Sequence, residues 1–253
     1  MKSKGKDLST SVFDKKMSLY KDANITFVGC SRWLSGRAKK SYLLRGKAVL
    51  SIPNPIDTKV YHPMDQGMAR ELLGLPSGKR LLLFGALNVT DKRKGIDYLI
   101  EALRRMEKQD VELVVFGQVK DDIRGLFPVP IHSMGYLSDE SKIVALYNAV
   151  DMFITSSLEE NLPNTIMESM ACGTPCVGFE IGGIPEMIDH RVNGYVANYK
   201  DAGDLANGIQ WVLEHEDRLA LSDACVKKVQ ENYTEEVVAK QYTALYEKLL
   251  KGE

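Results

Sequence analysis

Two glutamates and a predicted helix start occur together in the segment LEENLPNTIMESMACGTPCV, directly after the apolar run DMFITSS. Glu160 lies in the loop, and Glu168 follows eight positions later, inside the helix that this segment predicts. A carboxylate can accept hydrogen bonds from both hydroxyls of a vicinal diol, such as that of a ribose. The alternative is that both are surface carboxylates, which are favoured near a helix N-terminus. The spacing by itself leaves the two interpretations equally open.

Pro163 and Asn164 mark the start of that helix and predict a site for an anion. Proline is tolerated in a first helical turn because its missing N–H would have no partner there. The free N–H groups near Asn164 and Thr165 would point out of the strand ends with a partial positive charge. Such a helix start suits a phosphate group.

A second loop carries three cations in the run DKRKG, residues 91–95. It follows the first strand of the main α/β region and opens the next helix. Arg93 and Lys94 would therefore face the same cleft and neutralise a diphosphate. Taken alone, the run is better explained as a solvated turn. Together with the anion-binding helix start, a ligand site becomes the preferred interpretation.

These loops belong to a regular alternation of apolar runs and helices. The runs KRLLLFGA, VELVVFG, IHSMG, DMFITSS, PCVGFE and GYVAN are continuously apolar, which is typical of parallel strands covered on both faces. Six β/α units predict an α/β fold with a doubly wound, Rossmann-like parallel sheet and helices on both faces. Such sheets bind ligands at the carboxyl ends of their strands, where both loops lie.

Three prolines between residues 53 and 63 predict a linker. We assign residues 1–55 to a partial second α/β unit and residues 56–232 to the main ligand-binding domain. Residues 233–253 form a last helix capped by Thr234.

Other α/β chemistries lack their motifs. The sequence has no GxGxxG after its first long strand, no GxxxxGK[ST], no GxSxG and no Asp-x-Asp pair. Dinucleotide, P-loop and hydrolase chemistry are therefore disfavoured. The four cysteines and four histidines show no ligand spacing, so we expect no metal site and no cofactor.

Composition narrows the class of protein further. The 253 residues are 44% apolar and carry a net charge of −1, as in an ordinary globular protein. Without a basic field, a nucleic-acid partner is not expected. The apolar runs are too short to span a bilayer, and MKSKGKDLST contains no signal-peptide core. We expect a cytoplasmic protein.

Several segments resemble the retaining GT-B glycosyltransferases of family 4, also called glycosyl transferases group 1. They are ENLPNTIMESMACGTPCV, GGIPEMI and NGYV, and upstream SRWL, SIPNPIDTKVYHP and FGALNVTDKRKGIDYLIEAL, in the family's order. The resemblance covers nearly the whole chain after residue 10 and is most specific over residues 151–197. It implies a GT-B fold and transfer of a sugar, with retention, from a UDP- or GDP-linked donor to a saccharide or lipid-linked acceptor. The expected setting is polysaccharide or glycoconjugate biosynthesis, without a metal.

The resemblance also implies roles for individual residues. Glu168 would hold the nucleotide ribose, and Lys94 would match the family's phosphate-binding lysine. Glu160 would face the transferred sugar and Thr165 the diphosphate. The remaining donor-binding candidates are Asn161, Leu162, Pro163 and Asn164 towards the sugar, Gly135, Tyr136 and Leu137 around the base, and Gly117. Glu160, Lys94 and Arg93 are the catalytic candidates.

The sequence departs from the family pattern in two places. Many members have an arginine directly after the glycine of the first strand, where this chain has Ala86 after Gly85. The phosphate cation is then either lost or supplied by Arg93, and we favour Arg93. The segment before the linker is also too short for a complete acceptor domain. The chain is therefore expected to be a truncated transferase that is inactive alone.

The resemblance also implies that the last helix packs back toward residues 1–55. In a truncated chain, the open strands of residues 1–55 would favour self-association through residues 11–55. A basic helix over Arg32–Lys47 is a candidate for peripheral contact with anionic lipid at the inner membrane face. A solvated basic face is the preferred alternative.

Two rival functions stay open. One is a GT-B epimerase of nucleotide sugars, which would interconvert epimers without an acceptor. The other is a non-catalytic module that binds a nucleotide sugar and carries out no reaction.

Overall fold

The computed structural model of the chain describes residues 8–88, 91–106, 110–118 and 124–252. These residues form a two-stranded and a six-stranded sheet with helices around them. The strands are β1 (Thr26–Gly29), β2 (Ala48–Ser51), β3 (Arg80–Asn88), β4 (Val111–Gln118), β5 (Ile131–Gly135), β6 (Met152–Thr155), β7 (Cys176–Phe179) and β8 (Gly194–Ala197). The helices are α1 (Leu8–Lys21), α2 (Arg32–Lys39), α3 (Gln66–Leu73), α4 (Ile96–Arg105), α5 (Glu140–Ala149), α6 (Asn164–Ala171), α7 (Ile184–Met187), α8 (Ala202–Leu213), α9 (Arg218–Asn232) and α10 (Glu235–Leu250).

The larger sheet has the strand order β5-β4-β3-β6-β7-β8, and every neighbouring pair is parallel. From β3 the chain runs outward through β4 to β5 and then returns to place β6 on the other side of β3. The order of winding therefore reverses between β3 and β6. In open α/β sheets the ligand crevice lies at this reversal, outside the carboxyl ends of the two strands.

The central strand β3 is buried on both faces. Leu81 and Leu83 pack with α3, α5 and α6, whereas Leu82 and Phe84 pack with α4 and α8. All four side chains are at most 2% exposed. Each such burial contributes about 1.5–3 kcal/mol, which explains why the strand is continuously apolar. The predicted doubly wound α/β fold, with helices on both faces, is confirmed.

The segment before the linker forms a smaller unit, defined here as the N-terminal unit (residues 8–52). Its strands β1 and β2 are parallel, and Ser31 caps α2 between them by accepting a hydrogen bond from Leu34 N. Helix α10 packs on this unit, because Val238 and Leu245 form an apolar cluster with Ile52. The domain boundaries at residues 55 and 232 stay predictions.

Two elements differ from the expectations. The basic helix ends at Lys39 rather than Lys47, since Ser41 adopts an extended conformation and residues 42–44 form a 3₁₀ turn. Helix α3 lies just beyond the predicted linker, and Asp65 caps it by accepting from Met68 N. Among the helices of the described residues, none has the length and apolar character needed to cross a bilayer.

Candidate functional site

Lys94 and Glu160 meet beyond the carboxyl ends of β3 and β6, where the order of winding reverses. Lys94 Nζ lies 2.5 Å from Glu160 Oε1, and Ser157 Oγ donates to the same oxygen at 3.1 Å. The Lys94 side chain is 33% exposed and that of Glu160 is 15% exposed. The structure therefore brings together two residues that the sequence placed in separate loops, and it leaves the ammonium within reach of solvent.

Two hydrogen bonds to backbone carbonyl oxygens join the two loops. Ser156 Oγ donates to Lys94 O at 3.0 Å, and Leu158 N donates to Arg93 O at 2.7 Å. Gly95 makes this approach possible, because its φ is 65° and a Cβ there would lie 1.9 Å from Ser156 O. A side chain at residue 95 would push the loops apart and separate Lys94 from Glu160.

Arg93 points to a different partner. Its guanidinium Nη2 lies 2.7 Å from Asp91 Oδ2, and its side chain is 71% exposed. The neighbouring guanidinium lowers the pKa of Asp91 to about 2. That Arg93 supplies the phosphate cation absent at Ala86 stays a prediction, and the Ala86 side chain lies outside the described residues.

Helix α6 starts where the sequence predicts. Pro163 occupies the N-cap position, Asn164 is the first helical residue, and Ile166 N donates to Pro163 O at 3.1 Å. Asn164 is exposed and Thr165 is half-buried. The first amides of an α-helix have no partner within it, so the backbone of these two residues can bind an anion.

Glu168 lies one turn further along α6 and is held by a tyrosine. Tyr147 Oη donates to Glu168 Oε2 at 2.8 Å. Burial raises the pKa of Glu168, with a smaller contribution from Glu140, while the Tyr147 hydrogen bond opposes the rise. Burial and the nearby Glu168 also raise the pKa of Tyr61 to about 12. Sequence reasoning missed both tyrosines, because nothing in their local pattern marks a partner so far along the chain.

The predicted base-binding residues Gly135, Tyr136 and Leu137 lie at and after the end of β5, and the donor-site candidate Gly117 lies at the end of β4. Gly117 and Gly135 have positive φ angles of 121° and 63°, so each turns the chain at its strand end. Tyr136 is 62% exposed, while Leu137 packs against the core beneath the sheet. These positions lie at the carboxyl ends of β4, the neighbour of β3, and of β5, the edge strand beyond it.

The loop between Glu160 and Pro163 is held from two sides. Gly182, with a φ of 61°, lies so close that a Cβ would approach Glu160 O to 1.9 Å. Asn161 accepts a hydrogen bond from Ser31 Oγ at 2.6 Å and donates one to Cys30 Sγ at 2.9 Å. Leu162 is buried. Sequence reasoning did not connect Ser31 or Cys30 with the site.

Within the described residues, no group of three or more histidine, cysteine or acidic side chains is arranged to hold a metal ion.

Comparison with models of known protein families assigns the chain to one family. A family model described as glycosyl transferases group 1 matches residues 78–215, which include Lys94, Glu160 and Glu168. The chain belongs to the glycosyl transferases group 1 family.

Two curated relatives match most of this chain. The chain is 24% identical over 213 residues to N-acetyl-alpha-D-glucosaminyl L-malate synthase of Bacillus anthracis, covering 82% of this chain and 55% of that protein. It is 28% identical over 242 residues to spore coat protein SA of Bacillus subtilis, covering 86% and 61%. The chain thus spans about half the length of the curated relatives it matches.

Solved structures establish the GT-B type of the fold. Sucrose-phosphate synthase of Thermosynechococcus elongatus matches with a TM-score of 0.79 at 22% identity, over 100% of this chain and 65% of that one. HepE of Anabaena, solved with UDP, matches with a TM-score of 0.79 at 20% identity, over 95% and 68%. A second HepE structure contains UDP-glucose and matches with a TM-score of 0.75 at 19% identity, over 95% and 68%.

Proposed function

We propose that the chain is the donor-binding part of a retaining family 4 glycosyltransferase that uses a nucleoside-diphosphate sugar. One observation carries the proposal. The Lys94–Glu160 pair lies beyond the carboxyl ends of β3 and β6, where open α/β sheets bind their ligands, and within the region matched by the group 1 family. The start of α6 follows Glu160 in the same loop and adds backbone N–H groups for the diphosphate.

Each group has a role in this chemistry. Transfer breaks the bond between the sugar and the diphosphate, so negative charge develops on the departing phosphate. The Lys94 ammonium and the first amides of α6 would stabilise that charge. Glu160 would face the sugar, and Glu168 would accept hydrogen bonds from the ribose diol. Arg93 would add a further cation once a diphosphate competes with Asp91.

The donor is proposed to be UDP-linked, with a GDP-linked donor as the alternative. Support comes from HepE, whose structures contain UDP and UDP-glucose. A saccharide or lipid-linked acceptor, a part in polysaccharide or glycoconjugate synthesis, and a cytoplasmic location with contact at the inner membrane face belong to the same proposal. So does the independence from any cofactor.

A thermal-shift screen with UDP-, GDP- and ADP-glucose tests the donor class. We expect UDP-glucose to raise the unfolding temperature most. Calorimetry with UDP and uridine then tests the phosphate site in Lys94→Ala, with Lys92→Ala as the matched control. Lys92 is an exposed cation in the same 3₁₀ turn. Lys94→Ala should lose roughly tenfold in UDP affinity and almost nothing for uridine, as expected for one charged contact.

Two outcomes would contradict the proposal. Binding of none of the three donors would remove the nucleotide-sugar function. Equal losses in Lys94→Ala and Lys92→Ala would remove Lys94 from the site. With donor binding established, product analysis separates a transferase, which moves the sugar to an acceptor or to water, from an epimerase and from a binding module that changes nothing.

A further inference from the structure

The loop that carries Glu160 is held by side chains from the N-terminal unit. The amide of Asn161 uses both of its ends, since Ser31 Oγ donates to Oδ1 at 2.6 Å and Nδ2 donates to Cys30 Sγ at 2.9 Å. Ser31 is 2% exposed, so this contact is shielded from water. The backbone of Asn161 is fixed too, because Gly183 N donates to its carbonyl oxygen at 2.5 Å.

A second contact joins the N-terminal unit to α7, which follows the Gly182–Gly183 segment that packs against this loop. The carboxylate of Glu186, which lies in α7 just after Gly183, accepts hydrogen bonds from Arg32 N at 2.8 Å and Trp33 N at 2.7 Å. These are the first amides of α2, so Glu186 caps that helix from a distant part of the chain. Its side chain is 17% exposed.

The two contacts act on one short stretch. Asn161 is directly bonded to Glu160, and Gly182 backs the Glu160 carbonyl. A displacement of the N-terminal unit would therefore remove both partners of the Asn161 amide and the cap of α2 together. Nothing else in the described part of the chain supplies a hydrogen bond to the side chain of Asn161.

We propose that Ser31, Cys30 and Glu186 are positioning residues for the loop of residues 160–163, defined here as the Asn161 loop. Through these residues, the N-terminal unit sets the geometry of the sugar side of the donor site. The proposal rests on the proposed function, because it assigns this loop to the transferred sugar. It makes the orientation of the N-terminal unit a determinant of binding of the intact donor, and less of binding of the nucleotide alone.

Ser31→Ala tests this positioning role, with Ser35→Ala as the matched control. Ser35 is a buried serine of the same helix, and its hydroxyl donates to Leu50 O at 2.7 Å without touching the loop. Calorimetry with UDP-glucose and UDP should show a roughly tenfold loss of UDP-glucose affinity in Ser31→Ala and less than about twofold for UDP, as for one buried hydrogen bond. Ser31→Thr keeps the hydroxyl and should restore binding.

A second measurement, the alkylation rate of Cys30, reports on the contact between the N-terminal unit and the Asn161 loop without any ligand. Cys30 lines a cavity of about 320 Å³ with Arg32, Leu162 and Glu186, and the other three cysteines are buried. Iodoacetamide should therefore modify Cys30 first, as Cys30→Ser would verify. Ser31→Ala and Glu186→Gln should raise the Cys30 alkylation rate several-fold, while Ser35→Ala should not.

The outcomes separate the two proposals. If the wild-type chain binds neither nucleotide, the proposed function fails, and with it the role of the loop toward a donor. If the chain binds UDP-glucose but Ser31→Ala matches Ser35→Ala in affinity and alkylation rate, the positioning role fails alone. Equal losses for UDP and UDP-glucose in Ser31→Ala would also overturn it, since they would show general damage to the fold.

Discussion

The two edges of the six-stranded sheet each carry a cluster of charged side chains, and the clusters are paired in different ways. At the amino-terminal edge, Asp151 accepts hydrogen bonds from Leu81 N at 2.7 Å and from Arg70 at 3.0 Å. Its other oxygen lies 2.5 Å from Arg218 and 3.6 Å from Arg80. The carboxylate is 2% exposed, so its hydrogen-bonding capacity is used within the protein.

At the carboxyl edge, the charged side chains keep hydrogen-bond donors and acceptors that no other described residue pairs with. An ammonium has three donors, and within the described ranges Lys94 Nζ meets a single carboxylate, that of Glu160. Glu168 has Tyr147 on one oxygen and is only partly buried. The comparison shows that charge alone does not identify a binding site. What distinguishes the candidate site is that, among the residues the structure describes, donors and acceptors stay unpaired where the strand order reverses.

The largest expected effect lies at the amino-terminal edge. Asp151→Asn keeps an acceptor for Leu81 N but turns an NH₂ group toward the guanidinium groups, which lose their counter-charge. Breaking one partner of a buried ion pair costs about 3–5 kcal/mol, so the free energy of unfolding should fall by about that amount. Urea unfolding measures it, and UDP affinity of the remaining folded protein should be unchanged.

Asp110→Asn is the control for that variant. Asp110 belongs to the same edge and pairs with Lys79 at 2.5 Å, but its side chain is 70% exposed. We expect no measurable change in its unfolding midpoint, because exposed ion pairs contribute little. A similar midpoint for both variants would contradict the distinction between the buried and the exposed pair.

The next effect concerns binding at the carboxyl edge. Glu168→Ala should weaken UDP binding because, in the proposed site, the ribose diol would lose its acceptor. A charge-assisted hydrogen bond contributes about 1.5–3 kcal/mol, which corresponds to roughly a ten- to hundredfold loss of affinity by calorimetry. Glu140→Ala removes an exposed carboxylate nearby and should leave affinity within about twofold. Unchanged affinity in Glu168→Ala would remove this residue from the site.

Much of the fold could be predicted because burial on both faces of a parallel sheet requires continuous apolar runs, as in β3. The start of α6 was predictable from Pro163 for a local reason. Helix α3 was missed, although Asp65 and Gly74 are ordinary start and stop signals, because the prolines before it suggested a linker. Its N-cap and its αL residue after Leu73 are both present.

Only part of the site could be predicted from the sequence, because local patterns do not encode contacts between distant segments. Lys94 and Glu160 follow adjacent strands, so the reversal of the strand order brings them together. The contact between Ser31 and Asn161 joins residues 130 positions apart and depends on how the N-terminal unit packs. No local pattern encodes such a contact. The hydrogen bond from Tyr147 to Glu168 could not be predicted either, because the sequence around Tyr147 indicates only an ordinary core residue.

A smaller effect is expected on stability against pH. The folded state raises the pKa of Glu168 through burial, so it binds more protons than the unfolded chain between the ordinary value of 4.5 and the raised value. The contribution of this group to stability is therefore lost as the pH rises through that window. Glu168→Gln keeps an acceptor for Tyr147 without the charge.

Urea unfolding at a series of pH values from about 4 to 7 measures this difference. The wild-type chain should lose more stability across the window than Glu168→Gln, and the variant should be the more stable of the two at neutral pH. Parallel stability curves for the two proteins would show that burial does not penalise this carboxylate.

Arg93→Ala is expected to have a modest effect that depends on salt. The guanidinium is exposed and paired with Asp91, so the unfolding midpoint should not change. If Arg93 replaces the missing family arginine, UDP affinity should fall about threefold at low salt and less at high salt, because exposed charges are screened. Lys92→Ala is the matched control. An equal loss in both variants would indicate general electrostatics rather than a specific phosphate contact.

The smallest expected effect is that of removing divalent metal. A diphosphate needs positive charge, and here the Lys94 ammonium and the first amides of α6 would supply it. UDP affinity in EDTA should therefore equal that in Mg²⁺ within about twofold, a difference of less than about 0.5 kcal/mol. The measurement is sharpest in Lys94→Ala, where a metal would have the most charge to replace. If EDTA abolished UDP binding and Mg²⁺ restored it in the wild-type chain, the unused donors at the carboxyl edge would not be the phosphate site. The contrast between the two edges would then lose its functional meaning.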